Sequence, residues 1–336
     1  MGKIVCFGEI LLRLSSPGKE MLLQSPGFQA HVGGAETNVA VGLCKLGNSA
    51  AVVSVLPNNP IGHACAAEVR RHGVDTSSVV YRDGRMGLYF LTHGAGHRPA
   101  EVLYDRAGSA FASAAADLVD WSKILLGAEW LHVSGITPAV SAAGAQAALR
   151  AVKAARDAGI KISYDCNFRA RLWGDRTQQA PAMLRELCTY ATLIFGDDRD
   201  IAFMLDFKPP GSPAERRHLA AQKAFDTFSS LQWIAYTERT HLAVDVQQLA
   251  GTLHDRSSAY TTKPYPLHGI VDRIGGGDAY AAGILHGLVN EMSPQQTVEF
   301  ATAAGVLKHS IPGDFNLIGV PDVELLLSEV QTDVRR

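Results

Sequence analysis

The sequence predicts an α/β fold: one doubly wound core with a small β lid inserted through its early half. Three observations carry this. Short β-rich apolar runs alternate with helical stretches along most of the chain. Glycine turns lead straight into helices at two widely separated places. Residues 79–107 break the rhythm with polar and apolar positions that alternate around glycines. The 336 residues, 47% hydrophobic and 19% charged, are enough to bury a substantial globular core.

The chain opens with "KIVCFGEILLRL", read as a strand interrupted around Gly8–Glu9, because apolar β-rich runs flank a glycine. In "HVGGAETNVAVGLCKLG", residues 31–47, two glycines lead into a helix whose Val39, Leu43 and Leu46 share a face before Gly47 ends it. "AAVVSVL" restores strand character. Around Gly84 and the Gly94–Gly96 turn, the alternation in 79–107 predicts an antiparallel β excursion in place of another crossover. This segment and the one near 8–34 make up the expected lid, within a single unit spanning 1–336. From Trp130 the α/β rhythm resumes: "WLHVSG" is a strand, 139–158 an alanine-rich helix, "KISYDC" and "ATLIFG" are strands, and a helix follows near 198–205. "DFKPPGSPAERR", 206–217, is a loop before a helix, since its prolines and glycine terminate regular structure. "LQWIAYT" supplies a further strand, and "VDVQQLAGTLHDRSSAYTTKP" reads as β material with turns.

Composition narrows the function classes. With 31 Lys and Arg against 33 Asp and Glu the formal charge is −2, which gives no support for nucleic-acid binding driven by net charge. No apolar run approaches membrane-spanning length, and Glu9 comes too soon for a secretory signal, so a cytoplasmic location is expected. Cys6, Cys44, Cys65, Cys166 and Cys188 are scattered without a CxxC pair and read as small buried hydrophobes. The twelve histidines form no HExxH zinc pattern.

"IVDRIGGGDAYAAG", residues 270–283, places three glycines and an aspartate before an almost continuously apolar helix. Gly275, Gly276 and Gly277 permit close approach of a ligand, and successive N–H groups with the helix dipole can receive phosphate oxygens. Asp278 has two readings: a helix cap, or the acceptor of a substrate hydroxyl proton in phosphoryl transfer. The run is no Walker A loop and lacks the spacing of a dinucleotide fingerprint, which argues against an NAD-dependent dehydrogenase. At the early helix start, Gly33–Gly34 precede Ala35, Glu36, Thr37 and Asn38, which reads either as a plain loop-to-helix turn or as a place where small residues let a polyhydroxy substrate approach the backbone.

Together "GGAETNVAVGLCKLG" and "DRIGGGDAYAAG" resemble the two signature regions of the PfkB, or ribokinase-like, carbohydrate kinase family, and the resemblance runs from "GEILLRLS" to "ATAAGVLKHSIPGDFN". It implies a ribokinase-like three-layer fold, with a central mostly parallel sheet flanked by helices and a small β lid that closes over a sugar. It implies ATP and Mg²⁺ as cofactors, with a monovalent cation as a further candidate, and homo-oligomerisation through the lids. Asp278 matches the family's catalytic base, and Gly275, Gly276 and Gly277 its anion hole. Arg273 and Ile274 stand where the common DTxGAGD form has threonines, a departure without a functional account.

"VLYDRAGSA", 102–110, and "YDCNFRARLWG", 164–174, resemble the 2-keto-3-deoxygluconate kinase branch. Arg106 and Arg169 suit a substrate carboxylate because guanidinium presents several fixed donors; alone, each reads as an ordinary surface or structural ion-pair residue. Gly34 resembles the backbone sugar contact and Arg169 the principal acid anchor, while Tyr89 and Tyr104 suit hydroxyl contact or the apolar walls of the pocket. "LIFGDDRDIAFML" aligns with the family's NxxE region, with Asp197 and Asp200 in place of the usual pair. Their i,i+3 spacing fits either a hard cation's water shell or a helix cap. "AYTERTHLAVD", 235–245, lacks the usual glycine-spaced nucleotide turn. The expected reaction is ATP-dependent phosphorylation of 2-keto-3-deoxygluconate; the alternatives are a fructokinase or ribokinase-like activity, or a non-enzymatic sugar or nucleotide sensor on the same fold.

Overall fold

The computed structural model describes residues 2–241 and 246–328. Fourteen strands among these residues divide between two sheets. The large sheet contains β1 (Lys3–Phe7), β4 (Ala50–Pro57), β5 (Val79–Arg82), β8 (Ala128–Ser134), β9 (Lys161–Asp165), β10 (Leu193–Phe195), β11 (Trp233–His241), β12 (Val246–His254), β13 (Ala259–Thr261) and β14 (Tyr265–His268). Its order is β13-β12-β11-β10-β9-β8-β1-β4-β5, with β14 also on β12, and the run from β11 to β5 is parallel. The pairings made by β12 are antiparallel.

Side-chain alternation along the strands builds three layers. In β1, Ile4 and Cys6 enter one apolar core while Val5 and Phe7 enter the other. The first core is closed by helices Ala35–Lys45, Gly276–Val289 and Pro294–Lys308, the second by Ala142–Asp157, Ala180–Cys188 and Pro213–Thr227. Burial on both faces explains why the central strands read as continuous apolar runs. The alanine-rich stretch after β8 is two helices, Ile136–Val140 and Ala142–Asp157. Extended Ser141 separates them and caps the second by accepting the Gly144 N–H. All five cysteines are free thiols, four buried and Cys44 half-buried. Among the described residues no helix is long and apolar enough to cross a membrane.

The small sheet has the order β3-β2-β6-β7, from Gln29–Gly33, Leu11–Ser15, Leu88–Thr92 and Glu101–Asp105. It is narrower than the segments near 8–34 and 79–107. Val79–Arg82 instead pairs in parallel with β4 at the edge of the large sheet, so the excursion begins only after Gly84. Its strands are also mixed in direction: β6 and β7 are an antiparallel hairpin, but β2 runs parallel to β6. The half-buried alternation of a two-sided sheet is the same in either direction, which is why the sequence pattern did not distinguish them.

Candidate active site

The large sheet's parallel strands deliver their carboxyl ends to one side, the place where open α/β sheets bind ligands. A cavity of about 880 Å³ lies there, roofed by Leu11, Tyr89, Val102 and Tyr104 of the small sheet. Glu9 follows β1, Asp165 ends β9, and Gly196–Asp197 follow β10, all in its wall. The base, anion-hole, substrate and phosphate-region candidates named from the sequence all line this cavity, although they come from six separate stretches of chain.

The glycine turn forms one wall. Gly275 is the N-cap of helix Gly276–Val289 with φ 80°, and a Cβ on it would run into the Asp314 carbonyl oxygen. Gly277 has open space before it. Asp278 is therefore the third residue inside the helix and not its cap. Its Oδ2 accepts a 2.6 Å hydrogen bond from Asn38 Nδ2 and no helix N–H. Burial, with Asp314 and Glu36 nearby, pushes the Asp278 carboxyl up to about 7, although the Asn38 bond and the Arg169 charge favour ionisation.

Asn38 reaches Asp278 because of Gly34. With φ 137° Gly34 caps helix Ala35–Lys45, and a Cβ there would collide with the Glu9 carbonyl oxygen. Asn38 sits four residues on, one helical turn above Gly34, so the early glycine motif and the late one meet through this bond.

The two arginines differ. Arg106 is buried, and its Nε (2.8 Å) and Nη2 (2.6 Å) both go to Glu9 Oε2. Glu9 thereby fixes the guanidinium from one side, while Arg106 itself lines the cavity. Arg169 is exposed at the cavity wall and has no carboxylate partner among the described residues. Tyr89 is buried and its hydroxyl donates to Asp314, so it is positioned from behind, while half-buried Tyr104 packs beside it at 6.3 Å between ring centroids.

Asp197 and Asp200 form a capping box on helix Asp198–Leu205. Asp197 Oδ1 accepts the Arg199 N–H (2.8 Å), and Asp200 Oδ2 accepts the Asp197 N–H (3.0 Å). Asp197 is further engaged by the Arg199 guanidinium. Of the two readings of this pair, the cap accounts for the Asp197 contacts. Asp200 keeps a raised carboxyl, about 6, from burial and from Asp197, and Asp165 is pushed up to about 8 by burial and then by Asp278. Among the described residues no group of three or more His, Cys, Asp or Glu is arranged to hold a metal alone. In "AYTERTHLAVD", Ala235–Thr237 line the cavity, and 242–245 lie outside the described residues.

Sequence reasoning gave no role to the cluster beneath the turn. Arg13 of β2 is fully buried, with Nη2 2.6 Å from Asp272 Oδ2 and Nη1 3.1 Å from Asp314 Oδ1. Asp272 also accepts the Gly313 N–H (3.0 Å) and the Ile274 N–H (3.0 Å). One guanidinium thus joins the small sheet, the start of the glycine turn and the 313–316 loop. Asp165, Glu9 and Asn38 were also missed as functional candidates; strand-end position was the available signal for the first two.

The model of the pfkB family carbohydrate kinases matches residues 1–314. The chain belongs to the pfkB carbohydrate kinase family. A 2-dehydro-3-deoxygalactonokinase of Haloferax volcanii is 30% identical over 331 residues, 97% of this chain and 96% of that one. A 2-dehydro-3-deoxygluconokinase of Bacillus subtilis is 27% identical, covering 96% and 94%. The crystal structure of a 2-dehydro-3-deoxygluconokinase from Thermotoga maritima superposes with a TM-score of 0.92 at 36% identity, covering 98% of this pfkB kinase and all of that chain. The homology supports sugar kinase activity.

Proposed function

We propose that this pfkB kinase transfers the γ-phosphoryl group of ATP to the terminal hydroxyl of 2-keto-3-deoxygluconate, giving 2-keto-3-deoxy-6-phosphogluconate. One observation carries the reading: the glycine turn leading to Asp278 and the unpaired guanidinium of Arg169 line the same cavity. Phosphoryl chemistry and carboxylate recognition thus share one space. The names of the H. volcanii, B. subtilis and T. maritima relatives, all kinases of 2-dehydro-3-deoxy sugar acids, support the substrate class.

Asp278 accepts the hydroxyl proton as the sugar oxygen bonds to the γ-phosphorus and the bond to the β-phosphate oxygen breaks, leaving ADP. Asn38 holds the carboxylate in register, and the N–H groups of Gly275, Gly276 and Gly277 stabilise charge growing on the phosphoryl oxygens. Arg169 binds the sugar carboxylate, Gly34 lets the sugar approach the backbone, and Tyr89 and Tyr104 close the roof against water. Asp165 and Asp200 fit a divalent cation arriving on the nucleotide: both are acids whose ionisation is held back by burial and neighbouring carboxylates, a balance that an incoming cation reverses. Mg²⁺, when bound, offsets the phosphate charge.

A coupled ADP-release assay over 2-keto-3-deoxygluconate, its galactose-derived epimer, fructose and ribose tests the assignment. The highest kcat/KM is expected on a sugar acid, and preference for fructose or ribose would overturn it. Arg169→Ala should raise KM for the sugar acid about 10- to 100-fold and leave KM for ATP within about twofold. An equal rise in both would place Arg169 outside the acid site. The low-pH limb of kcat/KM should show an apparent pKa near 7, falling about tenfold per unit below it, because only ionised Asp278 takes the proton. A flat profile from about pH 5.5 to 8 would contradict the base assignment.

A further inference from the structure

We propose that Arg273, with the Arg239–His309 pair behind the glycine turn, binds the β- and γ-phosphates of the nucleotide. The inference rests on the kinase reading and assigns a role to the residue that departs from the family's common motif.

Arg273 lies two residues before Gly275, so it brackets the turn at the end away from Asp278. Its backbone is held: Gly276 N–H is directed to its carbonyl (3.4 Å), and the Ile274 N–H is tied to Asp272, itself fixed by Arg13. Its side chain is exposed in the cavity wall and pairs with no carboxylate among the described residues. A surface arginine without a partner is ordinary; its neighbour makes this one unusual.

Arg239 is half-buried on β11 and also has no carboxylate partner among the described residues. Nη1 donates to Gln247 Oε1 (2.6 Å) and Nη2 to His309 Nε2 (2.8 Å). His309 donates from Nδ1 to the Gly305 carbonyl (2.7 Å), so its Nε2 lone pair is the acceptor and the ring is neutral; burial and then Arg239 hold it down at about 4. Burial, and then the Arg273 charge, hold Arg239 down at about 10. His309 also backs the turn directly, since a Cβ on Gly276 would stand 2.8 Å from its ring. The result, among the described residues, is two cations with no carboxylate partner, one in the cavity wall and one behind it, next to glycine N–H groups at a helix start. Fixed positive charge of this kind is satisfied by a multiply charged anion, and a polyphosphate meets it better than the single charge of a sugar carboxylate.

Isothermal titration of purified wild-type, Arg273→Gln and Arg273→Lys protein with ADP and with AMP tests this, together with KM for each substrate. Arg273→Gln should weaken ADP binding about tenfold or more, leave AMP binding unchanged, raise KM for ATP and spare KM for the sugar acid. Arg273→Lys should recover part of the loss. The melting temperature of ligand-free Arg273→Gln should equal or exceed that of the wild type, because a repulsion has been removed, while its ADP-induced rise shrinks. Undiminished ADP binding, an equal loss of AMP, or a rise confined to the sugar-acid KM would overturn the proposal alone. Wild-type protein that binds neither ADP nor ATP would overturn it together with the kinase reading.

Discussion

Asp278→Asn is expected to lower kcat by about 10² to 10⁴-fold with KM for both substrates nearly unchanged, and to leave the protein folded. The substitution is isosteric and retains an oxygen for Asn38 Nδ2, so the early and late glycine motifs stay joined. What it removes is the ionisable oxygen, and with it the capacity to take a proton. The same change is expected to stabilise the ligand-free protein in a pH-dependent way. The folded carboxyl sits near 7, above its ordinary 3.8, so between those values the unfolded chain releases a proton that the folded one retains. The stability gained from that proton is complete below about 4 and is lost as pH rises through about 7. The melting-temperature advantage of Asp278→Asn should therefore be larger at pH 8 than at pH 5. Retained turnover in a folded variant would remove Asp278 from the role of base; an advantage that shrinks with pH would show the carboxyl is not held protonated.

Arg13→Met should be the most destabilising single change outside the apolar cores, by about 3–5 kcal/mol, because it strands two buried carboxylates. Asp314 is already raised to about 6, by burial first and despite Arg13, so without the guanidinium it is forced further toward the neutral form. Keeping Asp314 ionised costs more as pH rises, and the deficit should be greater at pH 8 than at pH 5.5. Adding Asp272→Asn and Asp314→Asn should restore much of the stability by removing the stranded charges. It should not restore kcat, since the tie from β2 to the glycine turn is gone. Chemical denaturation of the single and triple variants, with kcat measured on each, checks both parts. A triple variant as unstable as Arg13→Met would mean that the arginine's packing, and not its charge, is what matters.

The local devices were legible because their causes are local. The Gly34 and Gly275 turns were visible because positive φ at a helix start selects glycine. The Asp197/Asp200 cap was one of two stated readings because a capping box closes within four residues. Both apolar cores were visible as strand runs and helix stripes, since burial imposes periodicity on sequence. Arg106 marks the limit. Its segment was informative, yet its partner Glu9 is 97 residues away, and no local pattern says which acid a buried arginine will meet. Asn38 with Asp278, 240 residues apart, and Arg13 with Asp272, 259 apart, are of the same kind.

Sequence alone therefore determined the α/β class, the two glycine motifs and the residue types able to carry phosphoryl transfer. Each follows from backbone sterics or from the period with which side chains meet the core. Tertiary structure alone decided that Asp278 stands inside its helix against Asn38, that Arg106 meets Glu9 while Arg169 and Arg273 meet no carboxylate among the described residues, and that Arg13 ties the small sheet to the glycine turn and the 313–316 loop. Whether a charge is spent or available depends on which distant group topology sets beside it, and that pairing leaves no periodic trace in the chain.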